Sequence, residues 1–437
     1  MSNTVYTPAY RWRIFAILAC GYFLAYFHRL SPAVVALDMM RDLQAGAALT
    51  GLMAAAYFYP YALMQIPSGL LADSFGPRKT ISFFFLVAVV GSFLLGAAPS
   101  VAWAILGRGL VGLGVAMLFV STLKIFAEWF TPKQFATMVG ALGIVGGLGS
   151  LFATTPLALL TGQIGWRACF YLIGICTLVI ALLVFRYVRN RPSDVGLENL
   201  VADLAPIPGA SASGLTTGIR RVVATRAFWP IALWFFFAEA IFYGFSGLWG
   251  GPFLMQVYGL SKNATGQILA MTPIGLIIGS PLLIFLSNSV FKARKPVIIL
   301  SMVAQIALSA PLVLSPGKIP IFGLYLICLG IGVFSAAIVC IGFTMTKELF
   351  PVQMAGTALG LVNFFPFFSG AFFQPVLGLI LQRHPHGIDG FTLPAYQSAF
   401  LLLLLAGLCA LAAAFCMRET FGRVHGTQLA VDEYKEF

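Results

Sequence analysis

Charged side chains are scarce in this sequence. Only 9% of its 437 residues are Asp, Glu, Lys or Arg, whereas 60% are hydrophobic. Soluble domains carry about 25% charged residues, because their whole surface faces water. So little charge excludes a soluble protein of this length and indicates a polytopic membrane protein, whose outer surface faces lipid.

Residues that bind metals or perform covalent chemistry are also few. The seven cysteines form no CxxC pair and lie in or at the edges of apolar runs, so we expect them to pack as small residues. His384 and His386 stand together in a predicted loop but lack further ligands for a metal. A cluster of Ser, His and an acid is also missing, so the sequence predicts no enzyme, no cofactor and no metal site.

Twelve apolar runs dominate what is present. Each is long enough to cross a bilayer of about 30 Å at about 1.5 Å per residue. The first run carries Arg29 and leads directly into further runs, so we do not expect a cleaved signal peptide. The predicted spans are residues 12–37, 47–70, 80–98, 100–127, 135–158, 165–187, 229–255, 264–287, 296–315, 320–345, 355–381 and 396–417.

The formal net charge of +12 is distributed unevenly between these runs. If the N-terminus lies inside, the inner segments hold 18 Lys and Arg residues and the outer segments hold 5. This excess of positive charge on one side predicts that both termini lie in the cytoplasm. The membrane topology of the chain therefore explains its net positive charge. No basic stripe with interleaved aromatic residues is present, and we expect no nucleic-acid partner.

The predicted spans fall into two groups of six. We expect an N-terminal bundle of residues 1–187, a cytoplasmic linker of residues 188–228, a C-terminal bundle of residues 229–417 and a tail of residues 418–437. The linker contains a stretch rich in Pro, Gly, Ser and Ala. Similar residues recur 219 positions apart, which indicates duplication of one bundle. These pairs include Pro132 and Pro351, Gln134 and Gln353, Ser150 and Ser369, and Pro156 and Pro375.

Residues 69–79, of sequence GLLADSFGPRK, join two apolar runs through a short charged hairpin. This hairpin resembles the loop between helices 2 and 3 of the major facilitator superfamily of secondary transporters. The segment Arg108-Gly109-Leu110-Val111-Gly112 in the fourth span resembles the same family. The resemblance implies an all-α membrane protein of two pseudo-symmetric six-helix bundles, with both termini in the cytoplasm.

The resemblance also assigns a role to the hairpin. Asp73, Arg78 and Lys79 are expected to gate the inner face. In the second half, Asn288 stands where the family often carries an acidic residue. A charge-based latch is therefore expected to be weaker there.

Glu239 is the only one of the 14 acidic residues that lies deep within a predicted span. An ionised carboxylate in lipid costs at least about 2.5–3.5 kcal/mol on insertion scales, and ionisable residues inside membranes are functional by default. We therefore interpret Glu239 as the proton-coupling residue. The alternative is a structural residue that is permanently protonated or hydrogen-bonded.

Arg29 on span 1 and Arg108 on span 4 lie at similar depth, each about 12 Å from the outer end of its span. Both spans line the cavity in the superfamily, so the resemblance implies that the two side chains converge. A guanidinium group binds a carboxylate or phosphate through two parallel hydrogen bonds, which favours an anionic or zwitterionic substrate. Alternatively, Arg108 serves helix packing and proton coupling, and Arg29 snorkels outward. If Arg29 faces the cavity, we expect His28 to face elsewhere.

Other polar residues interrupt the apolar spans. Tyr57 and Tyr61 lie on one helical stripe of span 2, which either binds substrate or fills the seam between the two halves. Tyr243 follows Glu239 by one helical turn, and Asn363 lies in a proline-containing part of span 11. These four residues complete the predicted substrate-binding set.

The sequence thus predicts a proton-coupled secondary transporter of a small organic anion or zwitterion. We expect it to act in the bacterial inner membrane by alternating access, with uptake favoured. Its expected partners are the small-molecule substrate, protons and membrane lipids, and we expect a monomer.

Two groups within the superfamily show similar sequence features around spans 1 and 2. They are the bacterial organic-anion and sugar-phosphate permeases and the intraphagosomal amino-acid transporters, and the sequence does not separate them. The alternative function is a proton-driven exporter of drugs or metabolites. A sensor or a membrane enzyme is not favoured, because a signalling domain and a catalytic cluster are both missing.

Overall fold

The computed structural model describes residues 7–197, 213–387 and 390–422, and nearly all of them are helical. A short 3-10 helix, Pro192–Val195, follows the helices of the first half. These helices are α1 Thr7–Leu30, α2 Pro32–Asp42, α3 Ala47–Ala55, α4 Phe58–Leu63, α5 Ser68–Phe75, α6 Pro77–Gly96, α7 Val101–Ala116, α8 Leu118–Trp129, α9 Pro132–Phe152 and α10 Thr155–Tyr187.

The second half has a similar succession of helices. They are α11 Ser213–Ala224, α12 Phe228–Ile241, α13 Gly250–Val257, α14 Lys262–Phe285, α15 Lys295–Leu314, α16 Ile321–Ala337, α17 Phe343–Leu349, α18 Val352–Arg383 and α19 Leu393–Cys416. Three π-helical segments adjoin them: Phe242–Trp249, Leu286–Val290 and Ile338–Gly342. Two short strands, β1 His386–Gly387 and β2 Gly390–Phe391, pair in antiparallel fashion.

Many of these helices are long and apolar enough to cross a membrane. Within the described ranges, nine continuous helical stretches meet that criterion by length and composition, and two bent helix pairs raise the number to eleven. Thr137–Phe152 is a shorter apolar helix. The predicted all-α membrane fold is confirmed, whereas the count of twelve spans and the cytoplasmic termini stay predictions.

Proline and glycine stand where helices bend. The bent pairs turn by 51° between α1 and α2 and by 61° ahead of α5, and Pro32 and Pro67 lie at these bends. Proline lacks the N–H group that would continue the preceding helix. Gly165 splits α10 with a φ of 77°, a left-handed conformation that favours glycine. This break coincides with the predicted start of span 6.

The chain divides into two compact units. Unit 1 comprises Met1–Ala45 and Ala56–Pro208, and unit 2 comprises Gly46–Ala55 and Gly209–Phe437. Helix α3 therefore belongs to unit 2, where a Cβ atom on Gly51 would lie 2.5 Å from the carbonyl oxygen of Gln374 in α18. The predicted bundle boundaries at residues 187, 228 and 417 stay predictions. Residues 198–212 of the predicted linker and residues 423–437 of the predicted tail lie outside the described residues.

Helices in each unit pack closely through small residues. In unit 1, a Cβ atom on Gly107 of α7 would lie 2.8 Å from the carbonyl oxygen of Gly91 in α6. In unit 2, a Cβ atom on Gly332 of α16 would lie 1.9 Å from the carbonyl oxygen of Thr272 in α14. Such backbone contact is typical of membrane helices, which associate through small side chains.

Candidate functional site

Arg29 occupies the last turn of α1 and is almost completely buried, with 4% of its surface exposed. Its Cζ atom lies 4.3 Å from the centre of the Tyr26 ring and 5.0 Å from the centre of the Tyr61 ring. These are cation–π distances, and such contacts strengthen when water is excluded. The structure thus brings together Arg29 and Tyr61, which the sequence selected, and adds Tyr26, which it did not.

The two tyrosines selected from α4 and its N-terminal flank form one aromatic stack. The rings of Tyr57 and Tyr61 are 5.6 Å apart and inclined by 20°. Tyr57 is fully buried and donates a hydrogen bond to the Ala25 carbonyl oxygen of α1 at 3.3 Å. The spacing of the stripe therefore places both side chains on the face of this segment that meets α1.

Arg108 of α7 also lies against the ring of Tyr57. Its Cζ atom lies 5.1 Å from the centre of the Tyr57 ring, and its Nη1 donates to the carbonyl oxygen of His28 at 2.8 Å. Its Nε and Nη2 are buried and have no hydrogen-bond partner among the described residues. Tyr57 is thus a neighbour of both arginines, because it also interacts with Arg29.

His28 is buried on another face of α1. Its Nε2 lies 3.4 Å from the hydroxyl oxygen of Thr177 in α10. The ring therefore points to α10, whereas the Arg29 side chain lies against Tyr26 and Tyr61. This arrangement follows from the helical turn of about 100° between adjacent residues.

The buried charges differ between the two units. In unit 1 the buried charged side chains include Arg29 and Arg108. Among all described residues, Glu239 is the only acidic side chain that is buried, and it belongs to unit 2. The interior of unit 1 around the two guanidinium groups therefore suits an anion.

Glu239 lies near the end of α12 and is 7% exposed. The π-helical segment Phe242–Trp249 begins three residues later, and π segments are often found at functional sites. Tyr243, which lies in this segment, is buried, and its carbonyl oxygen accepts a hydrogen bond from Nε2 of Gln374 at 3.0 Å. Asn363 is half-buried on α18, the helix that also carries Gln374.

The hairpin residues make contacts that the sequence did not reveal. Asp73 forms an ion pair with Lys124 of α8, whose ammonium group also donates to the Gly69 carbonyl oxygen at 2.7 Å. Arg78 instead donates through Nε to the Phe185 carbonyl oxygen of α10 at 3.0 Å, and Lys79 is exposed. The gating role of Asp73, Arg78 and Lys79 stays a prediction.

The corresponding hairpin of unit 2 contains Asn288 and Arg294, and its acidic partner lies on another helix. Arg294 donates to Oδ1 of Asn288 and forms an ion pair with Glu348 of α17 at 2.9 Å. The acid that the hairpin lacks at Asn288 is thus supplied by the end of a neighbouring helix.

These features define a multi-pass membrane protein with buried ionisable side chains in both units, as found in transporters. The sequence model of the Major Facilitator Superfamily matches residues 18–375, and the chain belongs to this family. It is therefore an integral membrane transporter of small molecules and not an enzyme, as predicted.

Individual transporters are similar to this chain in sequence over most of its length. The hexuronate transporter of Escherichia coli (strain K12) is 24% identical over 386 residues, which cover 85% of this chain and 87% of that protein. The galacturonate transporter of Dickeya chrysanthemi is 26% identical over 323 residues, which cover 71% of this chain and 91% of that protein.

Solved structures show the same fold. A bacterial homolog to the human lysosomal transporter Spinster has a TM-score of 0.71 at 20% sequence identity, and the match covers 98% of this chain and 100% of that chain. At this identity the likeness shows the fold alone.

Proposed function

We propose that this chain takes up a small organic anion of the carboxylate type, such as a uronate, together with protons. The observation that carries the proposal is Arg29, a buried guanidinium packed over two tyrosine rings. The named substrates of the hexuronate and galacturonate transporters are sugar acids, which supports a carboxylate as the anionic group. We place the protein in a bacterial inner membrane, where it works by alternating access as a monomer.

The candidate residues divide into three roles. Arg29 binds the carboxylate of the substrate, because its planar fork matches two carboxylate oxygens. Glu239 carries the coupling proton, and Asp73, Arg78 and Lys79 gate transport at the inner face. The further substrate-binding residues are Arg108, Tyr57, Tyr61, Tyr243 and Asn363.

Ligand-induced thermal stabilisation of the purified protein tests the substrate class. The panel contains galacturonate, glucuronate, amino acids, sugar phosphates and lipophilic cations. A ligand at 100 times its dissociation constant stabilises the folded protein by about 2.7 kcal/mol if it binds only that state. We expect stabilisation by the sugar acids.

Substitution of Arg29 tests the residue that carries the proposal. Arg29→Lys keeps the charge but loses the fork, so we expect at least about tenfold weaker binding, or about 1.4 kcal/mol. Arg41→Lys, which changes an exposed arginine of α2, is the matched control and should bind as the wild type does. The proposal would be contradicted if only lipophilic cations stabilised the protein and Arg29→Lys did not change that stabilisation. This result would favour an exporter.

A further inference from the structure

The hydrogen bonds of His28 determine where its ring carries a proton. The Thr177 hydroxyl group donates its single hydrogen to the Ile173 carbonyl oxygen at 2.8 Å. Its oxygen must therefore accept the hydrogen of His28 Nε2, which lies 3.4 Å away. Nδ1 is then the unprotonated nitrogen of the neutral ring. It is buried and has no hydrogen-bond partner among the described residues.

Arg108 has unused donors, and it binds the backbone of His28, the residue whose Nδ1 lacks a partner among the described residues. Its Nη1 binds the His28 carbonyl oxygen at 2.8 Å, which ties the two residues together across α1 and α7. Its Nε and Nη2 are also buried, and within the described part of the chain nothing accepts their hydrogens. A buried charge with unsatisfied donors is costly unless an anion supplies the acceptors.

We propose that Arg108 and His28 bind one anionic group and one proton together. The anion accepts hydrogen bonds from Nε and Nη2 of Arg108, and Nδ1 of His28 takes up a proton from water. Without the anion, an imidazolium ring next to Arg108 would place two positive charges in one buried region. With the anion, each ligand strengthens the binding of the other by the same factor.

The surroundings of His28 support this pairing. Arg108 of α7 is the charged side chain that acts on the ring, and Thr177 of α10 is its neutral hydrogen-bond partner. The next residue, Arg29, packs over the Tyr26 and Tyr61 rings. Helices α2, α8 and α9 also pack on α1, and among their described side chains no acid or base acts on the His28 ring.

This inference rests on the proposed function, because it takes the anion to be the carboxylate of the substrate, whose two oxygens have enough lone pairs to accept hydrogen bonds from both Arg29 and Arg108. It adds a proton site in unit 1 to the one proposed at Glu239 in unit 2. Proton binding would then accompany substrate binding directly, and the affinity for the anion would rise as the pH falls.

Calorimetric titration with galacturonate near pH 7 is repeated in buffers of different ionisation enthalpy. The dependence of the measured heat on the buffer gives the number of protons taken up per bound anion. We expect uptake by the wild type and a loss of about one proton per bound anion in His28→Gln. The glutamine amide can still donate to Thr177 but cannot titrate. His384→Gln, which changes a histidine near the β1–β2 hairpin, is the matched control and should leave the uptake unchanged.

The outcomes separate the inference from the function on which it rests. Equal proton uptake by the wild type and by His28→Gln overturns the inference, and so does a wild type that binds galacturonate without uptake. In both cases binding itself upholds the proposed substrate class. If neither galacturonate nor any other carboxylate binds the wild type, the proposed function fails and the inference falls with it. His28→Asn replaces the glutamine variant if the latter does not fold.

Discussion

At the scale of single residues, the environment of Arg29 determines how a ligand can approach it. The guanidinium lies over the rings of Tyr26 and Tyr61, at distances typical of cation–π contacts. The N–H groups of a guanidinium lie in its plane and form a fork that matches a planar carboxylate. The tyrosines therefore stabilise the buried charge, and because Tyr57 and Tyr61 also form side-chain hydrogen bonds with Arg29, a substrate carboxylate would compete with their hydroxyl groups for its donors.

Glu419 is a residue whose ionisation contributes to stability. Burial alone would raise the pKa of its carboxyl group. Hydrogen bonds from the backbone N–H groups of Arg294, Phe421, Lys295 and Thr420 outweigh that effect and hold the pKa below its ordinary value. Two of these N–H groups open α15, so the carboxylate caps that helix.

We expect Glu419→Gln to lower the free energy of unfolding by about 1 kcal/mol at neutral pH, as the loss of a helix cap does. Because the folded pKa is depressed, the contribution is complete above the pKa of an unfolded glutamate, about 4.3, and is lost as the pH falls through the folded value. Thermal unfolding at several pH values measures this. Glu128→Gln, which removes an exposed ion pair with Arg191, is the control. A Glu419→Gln effect that persists unchanged at pH 3 would contradict the capping role.

The residues that could be selected from sequence are those whose chemistry is unusual in a membrane. Arg29 and Glu239 stand out because charge is expensive in lipid, and helical spacing added Tyr57 and Tyr61. The contact of Lys124 with Asp73 could not be foreseen, because 51 residues separate them and the pairing depends on how α5 and α8 pack. Tyr26 was missed for a similar reason, since a single tyrosine in a span is unremarkable until Arg29 is seen over its ring.

At the scale of helices, α7 depends on one glycine to reach the candidate site. A Cβ atom on Gly112 would lie 2.0 Å from the carbonyl oxygen of Tyr57, which is far inside van der Waals contact. Gly109 on the same helix would bring a Cβ atom only to 3.7 Å from the Ala56 carbonyl oxygen. The two glycines therefore look alike in sequence, but only Gly109 leaves space for a Cβ atom.

We expect Gly112→Ala to lower the free energy of unfolding by about 1–3 kcal/mol, because the new methyl group must push α7 away from Tyr57. The same displacement should weaken galacturonate binding. Gly109→Ala is the matched control and should keep or slightly raise stability, because alanine favours the helix by about 1 kcal/mol over glycine. Thermal unfolding of both variants measures the difference. Equal stability of the two would show that Gly112 is not a packing constraint.

Helix positions were predictable to different degrees along the chain. Apolar length predicted that the chain is largely helical, whereas the break at Gly165 within α10 was found only in the structure. The π-helical segments, such as Phe242–Trp249, were not predicted. This segment contains Tyr243, whose carbonyl oxygen accepts a hydrogen bond from Gln374, 131 residues away, and local sequence does not predict so distant a contact.

At the scale of the whole molecule, the two units differ in the charges that they bury. Unit 1 buries bases such as Arg29 and Arg108, whereas unit 2 contains Glu239, the only buried acid among the described residues. The hairpins differ as well, because Asp73 pairs with Lys124 in unit 1 while Arg294 pairs with Glu348 in unit 2. If the two halves arose by duplication, as the sequence predicts, substitution of single residues has given each half its own chemistry. The family and the all-α fold were predictable because they depend on pattern, whereas the substrate depends on side-chain geometry.

The division of charge between the units leads to a prediction about energy coupling. If Glu239 carries the coupling proton, Glu239→Gln fixes the protonated form and removes the means of releasing that proton. In proteoliposomes with an imposed pH gradient, we expect this variant to lose accumulation of galacturonate. Exchange of external for internal galacturonate should continue, because exchange needs no net movement of protons. Loss of accumulation with retained exchange distinguishes a defect in proton coupling from a defect in folding, since a misfolded protein would lose both activities.

Glu128→Gln provides the control for these assays, because it removes an exposed acid of the same unit charge. It should accumulate galacturonate as the wild type does. Unchanged accumulation by Glu239→Gln would contradict the coupling role and leave Glu239 as a structural residue of α12. The proton would then have to bind elsewhere, and the buried Nδ1 of His28 is the site that the structure offers. Accumulation measured in Glu239→Gln and His28→Gln side by side therefore assigns the coupling proton to one unit or to both.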